Sequence, residues 1–127
     1  VHQVTSSATS EMIEQMLHVS QGDVVIAISL PRYSSRTIQL MDFARDSGAE
    51  VVAITDSLDA PAAKRANHVL LAKSDMVSVV DSLVAPMSLA NALIVAIGQR
   101  KKGELSRIFE NLEGIWQEYE VYERVET

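Results

Sequence analysis

Two short apolar segments, DVVIAIS (23–29) and EVVAIT (50–55), set the strongest limit on how this chain can fold. Both are rich in β-branched residues and carry apolar side chains at consecutive positions, which predicts strands that are buried on both faces. That pattern is typical of parallel strands covered by helices on both sides. A weaker run, HVLLA (68–72), predicts a third strand, and VHQV (1–4) is a candidate for a fourth.

The segments between these strands repeat apolar residues at helical spacing. One stripe comprises Met12, Ile13, Met16 and Leu17, and another comprises Ile38, Leu40, Met41 and Ala44. Asp59 and Pro61 predict the start of a short helix, because Asp is a favoured N-cap and Pro is favoured in the first turn. Further stripes cover 77–98, which Pro86 should interrupt, and 105–119. Alternating strands and helices predict an α/β fold with a doubly wound parallel sheet in three layers.

Composition excludes several classes of protein. The chain has 127 residues, of which 47% are hydrophobic, so we expect one domain with a substantial core. No apolar run is long enough to span a bilayer and the N-terminus does not resemble a signal peptide, so we expect a cytoplasmic protein with no membrane partner. The sequence contains no cysteine, which excludes disulfides and thiolate chemistry. A net charge of −6 makes this chain by itself a poor nucleic-acid binder.

The segment ISLPRYSSRT (28–37) joins the first strong strand to the next helix and is rich in hydroxyl groups and arginine. Ligands of doubly wound sheets bind beyond the carboxyl ends of the strands. A helix that begins near Ser34 or Ser35 would direct free N–H groups and its positive dipole end at an anion there. The side chains available to a phosphate are those of Ser29, Arg32, Ser34, Ser35, Arg36 and Thr37. An equally simple alternative is that a serine caps the helix and the arginines are solvated.

The pattern GDVVIAIS…SSRT…GAEVVAITDS…AN…LL, between Gly22 and Ala72, resembles the SIS (sugar isomerase) domain. In that family a turn rich in serine and threonine holds the phosphate of a phosphosugar. The loop LPRYS, the segment DSLVAPMSLANAL and the closing YEVYE look most like the effector domains of RpiR/MurR-type transcriptional regulators. The resemblance thus covers nearly the whole chain. It implies an α/β/α fold with flavodoxin-type strand order, a phosphorylated sugar as ligand, and a homodimer or larger homo-oligomer.

The common SIS turn reads serine, any residue, serine, glycine, any residue, threonine. Ser29 matches its opening serine, Ser34 its second serine and Thr37 its threonine. Ser35 stands in place of the glycine, and the loop here is longer than the common turn. The resemblance therefore implies a phosphate site that comprises Ser29, Arg32, Ser34, Ser35 and Thr37. Candidates for lining the rest of the pocket are Asp56, Asp81 and Ser82. The alternative for Asp56 is a simple turn, and the alternative for Asp81 and Ser82 is a polar helix face.

Two parts of SIS-type regulators do not precede Val1 in this sequence. These are the first strand, turn and helix of the SIS domain, and the helix-turn-helix with which such regulators read DNA. We therefore expect 1–127 to be a partial SIS domain that contacts DNA only through a domain absent here. The family's strand order would place the absent strand between VHQV and DVVIAIS, so DVVIAIS is expected at an exposed edge of the sheet, with VHQV unpaired or paired out of order.

Three functions remain open at this point. The favoured prediction is a sensor domain in which a phosphosugar modulates DNA binding by a linked domain. The alternative is a phosphosugar isomerase of the same fold, and the third is an interaction domain without a ligand. An isomerase needs a positioned base, whereas His2, His18 and His68 are scattered through the sequence. No spacing of histidines suggests a metal site, and we expect neither a metal nor a cofactor.

Overall fold

The computed structural model of the chain describes residues 1–74 and 82–119. Its strands are β1 (Val24–Ile28), β2 (Glu50–Thr55) and β3 (His68–Leu71). Its helices are α1 (Thr9–Gln15), α2 (Ser35–Asp46), α3 (Val84–Arg100) and α4 (Lys102–Glu118). The three apolar runs therefore form the three predicted strands. VHQV, by contrast, forms neither a strand nor a helix.

The three strands form one parallel sheet in the order β1-β2-β3. Ile28 of β1 is in register with Ile54 of β2, which is in register with Leu70 of β3. β1 is therefore an edge of the described sheet, as the strand order of the SIS family predicted. One face of this edge strand is apolar and accessible, because Val24 and Ile26 are 61% and 47% exposed and Ile28 is 52% exposed.

The hydrophobic core lies on the opposite face of the sheet, against α2. Side chains alternate along a strand, so Val25 and Ala27 face away from the accessible side of β1. Ala27 packs in a cluster with apolar residues of both α1 and α2. The buried members of this core are Met16, Ala27, Leu40, Met41, Ala44, Ala49, Val51, Ala53 and Ala62. Small alanines on the strands thus leave room for the larger side chains of α2.

The chain divides into two compact units, residues 1–89 and 90–127. The first unit contains the sheet, α1, α2 and the beginning of α3, and the second contains the rest of α3 and α4. The predicted apolar stripe of the last helix is present in α4, where Ile108, Phe109 and Ile115 are about half exposed. No helix in the described parts of the chain is long and apolar enough to cross a bilayer.

The predicted short helix after Asp59 is wrong, because the segment forms a series of turns. The N–H groups of Arg65 and Ala66 both donate to the carbonyl of Ala62, at a spacing of three and of four residues. This mixture does not build a regular helical ladder. The side chain of Ser57 accepts the N–H of Asp59, so the local polar contact stabilises a turn before the segment instead of a helix cap.

Pro86 lies in the first turn of α3, which begins at Val84. A proline is tolerated there because its missing N–H would have no partner within the helix. Residues 75–81, where the predicted apolar stripe would begin, lie outside the described residues, as does 120–127, which holds most of YEVYE.

We expect Met41→Ala to lower the free energy of unfolding by about 2–5 kcal/mol, the usual cost of a cavity at a buried position. Met41 is 1% exposed in the core between α2 and the sheet. Urea denaturation followed by circular dichroism measures the effect. Met87 is 59% exposed, so Met87→Ala is a matched control that should change stability by about 0.5 kcal/mol or less. Equal effects of the two substitutions would contradict the packing described here.

Candidate functional site

Hydroxyl groups and a carboxylate meet at the carboxyl edge of the sheet. Because the strands are parallel, the residues that follow β1, β2 and β3 lie at the same edge. The segment 29–34 connects β1 to α2, Asp56 follows β2, and Ala72 begins the segment after β3. In doubly wound folds this edge is the usual place for a ligand, so the side chains of these segments define the candidate site.

Ser29 is the most unusual residue at this edge. Its N–H donates to the carbonyl of Ile54 over 3.0 Å, so it extends the pairing of β1 with β2 by one residue. The alternation of side chains then places it on the same face as Ala27, the face that α2 covers. The residue is 4% exposed, and its Oγ has no hydrogen-bond partner among the described residues. A buried hydroxyl without a hydrogen-bond partner lowers the stability of the fold by about 1–3 kcal/mol. A ligand that bonds to the Ser29 hydroxyl would remove this cost, which makes Ser29 a candidate binding residue.

The N-terminus of α2, at the end of the same loop, provides further donors from the backbone. Ser34 is the N-cap residue, in an extended conformation, and its side chain makes no capping hydrogen bond. The carbonyl of Ser34 accepts the N–H of Ile38 over 3.4 Å, and the N–H groups of the first turn lie before any helical acceptor. No acidic residue lies in this turn. The side-chain cap considered above as an alternative is thus not formed by Ser34.

The two arginines of this segment have different surroundings. Arg36 donates from Nη1 to the carbonyl of Ser7 over 2.6 Å, which ties the first turn of α2 to the segment before α1. Arg32 is exposed and has φ of 64°, in the left-handed region that a residue with a side chain adopts at a cost of roughly 1 kcal/mol or more. Arg36 thus makes a structural contact, and Arg32 gives the loop a left-handed residue.

Tyr33 joins the loop after β1 to the end of β2. Its hydroxyl donates to Oδ1 of Asp56 over 2.8 Å, and the hydroxyl of Thr55 lies 3.4 Å from the same oxygen. The hydrogen bond to the carboxylate is the main cause that raises the pKa of Tyr33 above its usual 10.0, with smaller contributions from desolvation and from the charge of Asp56. The sequence reasoning missed Tyr33. The only signal in the sequence was that Tyr33 lies in the loop after β1, and that Asp56 directly follows the neighbouring strand β2.

Of the predicted site residues, those between Ser29 and Thr37 lie on one continuous segment, and Asp56 is attached to it through Tyr33. Ser34 and Ser35 are exposed and Thr37 is half-buried. In the part of the chain that the structure describes, no hydrogen bond joins Ser82 to this group.

Ser82 contacts the beginning of α3 instead. Its Oγ accepts the N–H of Val84 over 3.4 Å, and its carbonyl accepts from the hydroxyl of Ser74 over the same distance. Ser82 thus lies two residues before α3 begins and is not part of a polar helix face, which was the alternative for this residue. Asp81, the other predicted residue of that segment, lies outside the described residues. Across residues 1–74 and 82–119, no group of three or more His, Cys, Asp or Glu side chains could hold a metal ion.

Comparison with known proteins agrees with this architecture. A family model described as the SIS domain matches residues 1–96. The sugar isomerase domain of an RpiR transcription factor from Sphaerobacter thermophilus superposes with a TM-score of 0.73 and 26% sequence identity. That alignment covers 80% of this chain and 56% of the other, so this chain spans little more than half the length of that protein.

A second crystal structure, of a hypothetical protein, is 24% identical with a TM-score of 0.55, over 67% of this chain and 52% of that one. This likeness shows the fold alone. No curated protein sequence matches the chain.

The family match covers the sheet, α1, α2 and the complete loop between β1 and α2. The parallel order of the three strands and the structural neighbour agree with it. The resemblance read from the sequence and the predicted α/β fold are thus both confirmed, and the chain belongs to the SIS domain family.

Proposed function

We propose that residues 1–127 are part of a phosphosugar-binding SIS domain that serves as the sensor of an RpiR-type transcriptional regulator. In this proposal a phosphorylated sugar binds at the carboxyl edge of the sheet and modulates DNA binding by a domain outside this sequence. The protein acts in the cytoplasm, where phosphosugars and DNA are both present. The single observation that carries the binding function is the buried, unpartnered hydroxyl of Ser29, which begins the loop leading to the N-terminus of α2.

The phosphate group is the part of the ligand that this geometry recognises. Backbone N–H groups at the start of α2 donate to its oxygens, and the helix dipole favours its negative charge. Ser29 contributes a hydroxyl from the end of β1. The other groups that we assign to the phosphate are the hydroxyls of Ser34, Ser35 and Thr37 and the guanidinium of Arg32. The absence of an acidic residue from the first turn of α2 supports this assignment.

The regulatory role rests on similarity as well as geometry. The neighbour with a TM-score of 0.73 is the sugar isomerase domain of an RpiR transcription factor. We infer that this chain shares the sensor role and that ligand occupancy is read out by a DNA-binding domain elsewhere in the protein. The isomerase alternative has one observation in its favour, since Asp56 places a carboxylate at the same edge that could act as a base. Turnover of a bound phosphosugar would favour that alternative.

We expect Ser34→Ala combined with Thr37→Ala to weaken phosphosugar binding. Each lost hydrogen bond to a charged phosphate is worth about 1.5–3 kcal/mol, or roughly tenfold or more in affinity. Isothermal titration calorimetry with glucose 6-phosphate, fructose 6-phosphate and ribose 5-phosphate measures the change in affinity. Ser29→Ala should also weaken binding and should not destabilise the unliganded chain, because the buried hydroxyl has no protein partner to lose.

Ser106→Ala is the matched control for these substitutions. Ser106 is an exposed residue of α4 whose hydroxyl bonds only locally, to the carbonyl of Lys102 over 2.9 Å. Its removal should leave phosphosugar affinity unchanged. Unaltered affinity in the Ser34 and Thr37 double variant would refute the assigned phosphate site. The same samples, assayed for interconversion of aldose and ketose phosphates, separate the sensor from the isomerase.

We also propose that the protein forms a homodimer or a larger homo-oligomer, and we expect light scattering to give at least the mass of a dimer. Apolar side chains on α4 support this, since Phe109 is 58% exposed and Ile108 and Ile115 are about half exposed. Phe109→Glu should shift the protein towards monomer, because a buried unpaired charge opposes association. Glu110→Gln, at an exposed neighbouring position, is the control. A monomeric unsubstituted protein at micromolar concentrations would contradict self-association.

A further inference from the structure

The carboxylate of Asp56 has no use in binding a phosphate. A phosphate carries negative charge at neutral pH and is repelled by a carboxylate close to it. Asp56 nevertheless lies at the same edge as the donors of α2, and the hydroxyl of Tyr33 holds it there at 2.8 Å. An acceptor-only group at the edge that holds the proposed anion site suits a ligand with a second kind of chemistry, one that donates hydrogen bonds.

The register of the sheet brings Asp56 close to Ser29. Ile28 pairs with Ile54, and the N–H of Ser29 donates to the carbonyl of Ile54, so Ser29 and Thr55 are neighbours across β1 and β2. Asp56 is the next residue along the chain. It is half-buried, which leaves part of the carboxylate accessible from the edge of the sheet. The buried hydroxyl of Ser29 and the carboxylate of Asp56 thus lie at the ends of adjacent strands, at the same edge of the sheet.

The two oxygens of Asp56 have different roles. Oδ1 accepts from the hydroxyl of Tyr33, and the hydroxyl of Thr55 lies 3.4 Å from it. Within the described residues, Oδ2 accepts no hydrogen bond from the protein. Tyr33 thus fixes the orientation of the carboxylate through one oxygen while the other keeps its capacity to accept.

We propose that Oδ2 of Asp56 accepts hydrogen bonds from sugar hydroxyls, with Tyr33 as the residue that positions it, so that the site selects phosphorylated sugars over free phosphate. The inference rests on the proposed function, because it assigns the second half of the same ligand. Adjacent hydroxyls of a sugar are good donors to a carboxylate, and hydrogen bonds to a charged acceptor are the stronger ones. Inorganic phosphate has no comparable set of hydroxyls, so the carboxylate of Asp56 only repels it.

Tyr33 also fixes the loop that carries the anion site. The loop between β1 and α2 contains the left-handed turn at Arg32, and the bond from Tyr33 anchors the loop to the end of β2 two residues before the helix begins. A loop that is already ordered loses less conformational entropy when the ligand binds. Tyr33 therefore acts on affinity through Asp56 and through the loop, without touching the ligand itself.

The decisive experiment compares two classes of probe on the full chain. Isothermal titration calorimetry with inorganic phosphate and with glucose 6-phosphate, fructose 6-phosphate and ribose 5-phosphate gives the affinity ratio of sugar phosphate to phosphate. Asp56→Asn should weaken the binding of the selected sugar phosphate about tenfold. It should leave the affinity for phosphate unchanged or raise it, because a repelling charge has been removed. Tyr33→Phe should reduce the same ratio by a smaller factor.

Matched controls separate this effect from general loss of charge or of a phenol. Asp46→Asn removes an exposed carboxylate from the last turn of α2, and Tyr119→Phe removes the hydroxyl of a tyrosine that is 74% exposed. Both should leave the ratio unchanged. If Asp56→Asn weakens the binding of phosphate and of sugar phosphate equally, Asp56 only anchors the loop through Tyr33. That result would overturn the inference.

Two further outcomes distinguish this inference from the proposed function. If the unsubstituted chain prefers a sugar phosphate and Asp56→Asn keeps that preference, the role of Asp56 is refuted while the phosphosugar site stands. If the unsubstituted chain binds phosphate and the sugar phosphates equally, selection by Asp56 is refuted and only an anion site remains. If it binds neither class of probe, the proposed function and the inference both fail.

Tyrosinate absorbance measures the Tyr33–Asp56 hydrogen bond in solution. The bond to the carboxylate raises the pKa of Tyr33, so Tyr33 should ionise at higher pH than a free tyrosine. The folded state therefore favours protonated Tyr33, and the stability from this contact is present below pH 10.0 and is lost as pH rises through the raised pKa. Asp56→Asn should lower the pKa of Tyr33, and Tyr33→Phe assigns the signal. An unchanged titration in Asp56→Asn would overturn the positioning role.

Discussion

The in-register parallel pairing of β1 with β2 is the constraint on which the rest of the described site depends. It runs from Val24 opposite Glu50 to Ile28 opposite Ile54, and the N–H of Ser29 extends it by one residue. This pairing brings the two carboxyl ends to the same level and places α2 over one face of the sheet. The hydroxyl of Ser29 and the carboxylate of Asp56 lie at the same edge of the sheet because both strands end together.

Much of this arrangement can be predicted from the sequence, because its cause is local. Apolar residues on both faces of DVVIAIS and EVVAIT specify buried parallel strands, and strand ends follow from the polar residues after them. The hydroxyl-rich loop can likewise be recognised in the sequence, because several serines and a threonine follow directly after a predicted strand. The wrong prediction of a helix after Asp59 also has a local physical cause. A cap and a proline predict a helix start, but only eight residues separate Asp59 from β3, and the hydrogen bonds of Arg65 and Ala66 close turns instead.

The contact between Tyr33 and Asp56 could not be predicted in this way. The two residues are 23 positions apart, and neither lies in a periodic element that would reveal its direction. Their contact depends on the path of the loop, which includes a left-handed residue at Arg32 that no turn signal such as glycine marks. The position of β1 at the edge of the described sheet is the opposite case. That position follows from the strand order of the family. The resemblance to the family gave this order, which the periodicity of the sequence alone does not predict.

The proposed site divides its chemistry between backbone and side chains. At the α2 end, the donors are largely backbone N–H groups, whose positions are fixed by the helix and are insensitive to which side chains surround them. At the β2 end, recognition depends on one carboxylate held by one phenol. A change of side chain at the first end lowers affinity gradually, because several donors share the anion. In the proposed role of Asp56, a change at the second end alters which ligand is preferred, because no other group described there accepts hydrogen bonds with a full negative charge. The proposal therefore makes the residue after β2 the position at which one substitution changes ligand preference while the proposed anion site keeps its donors.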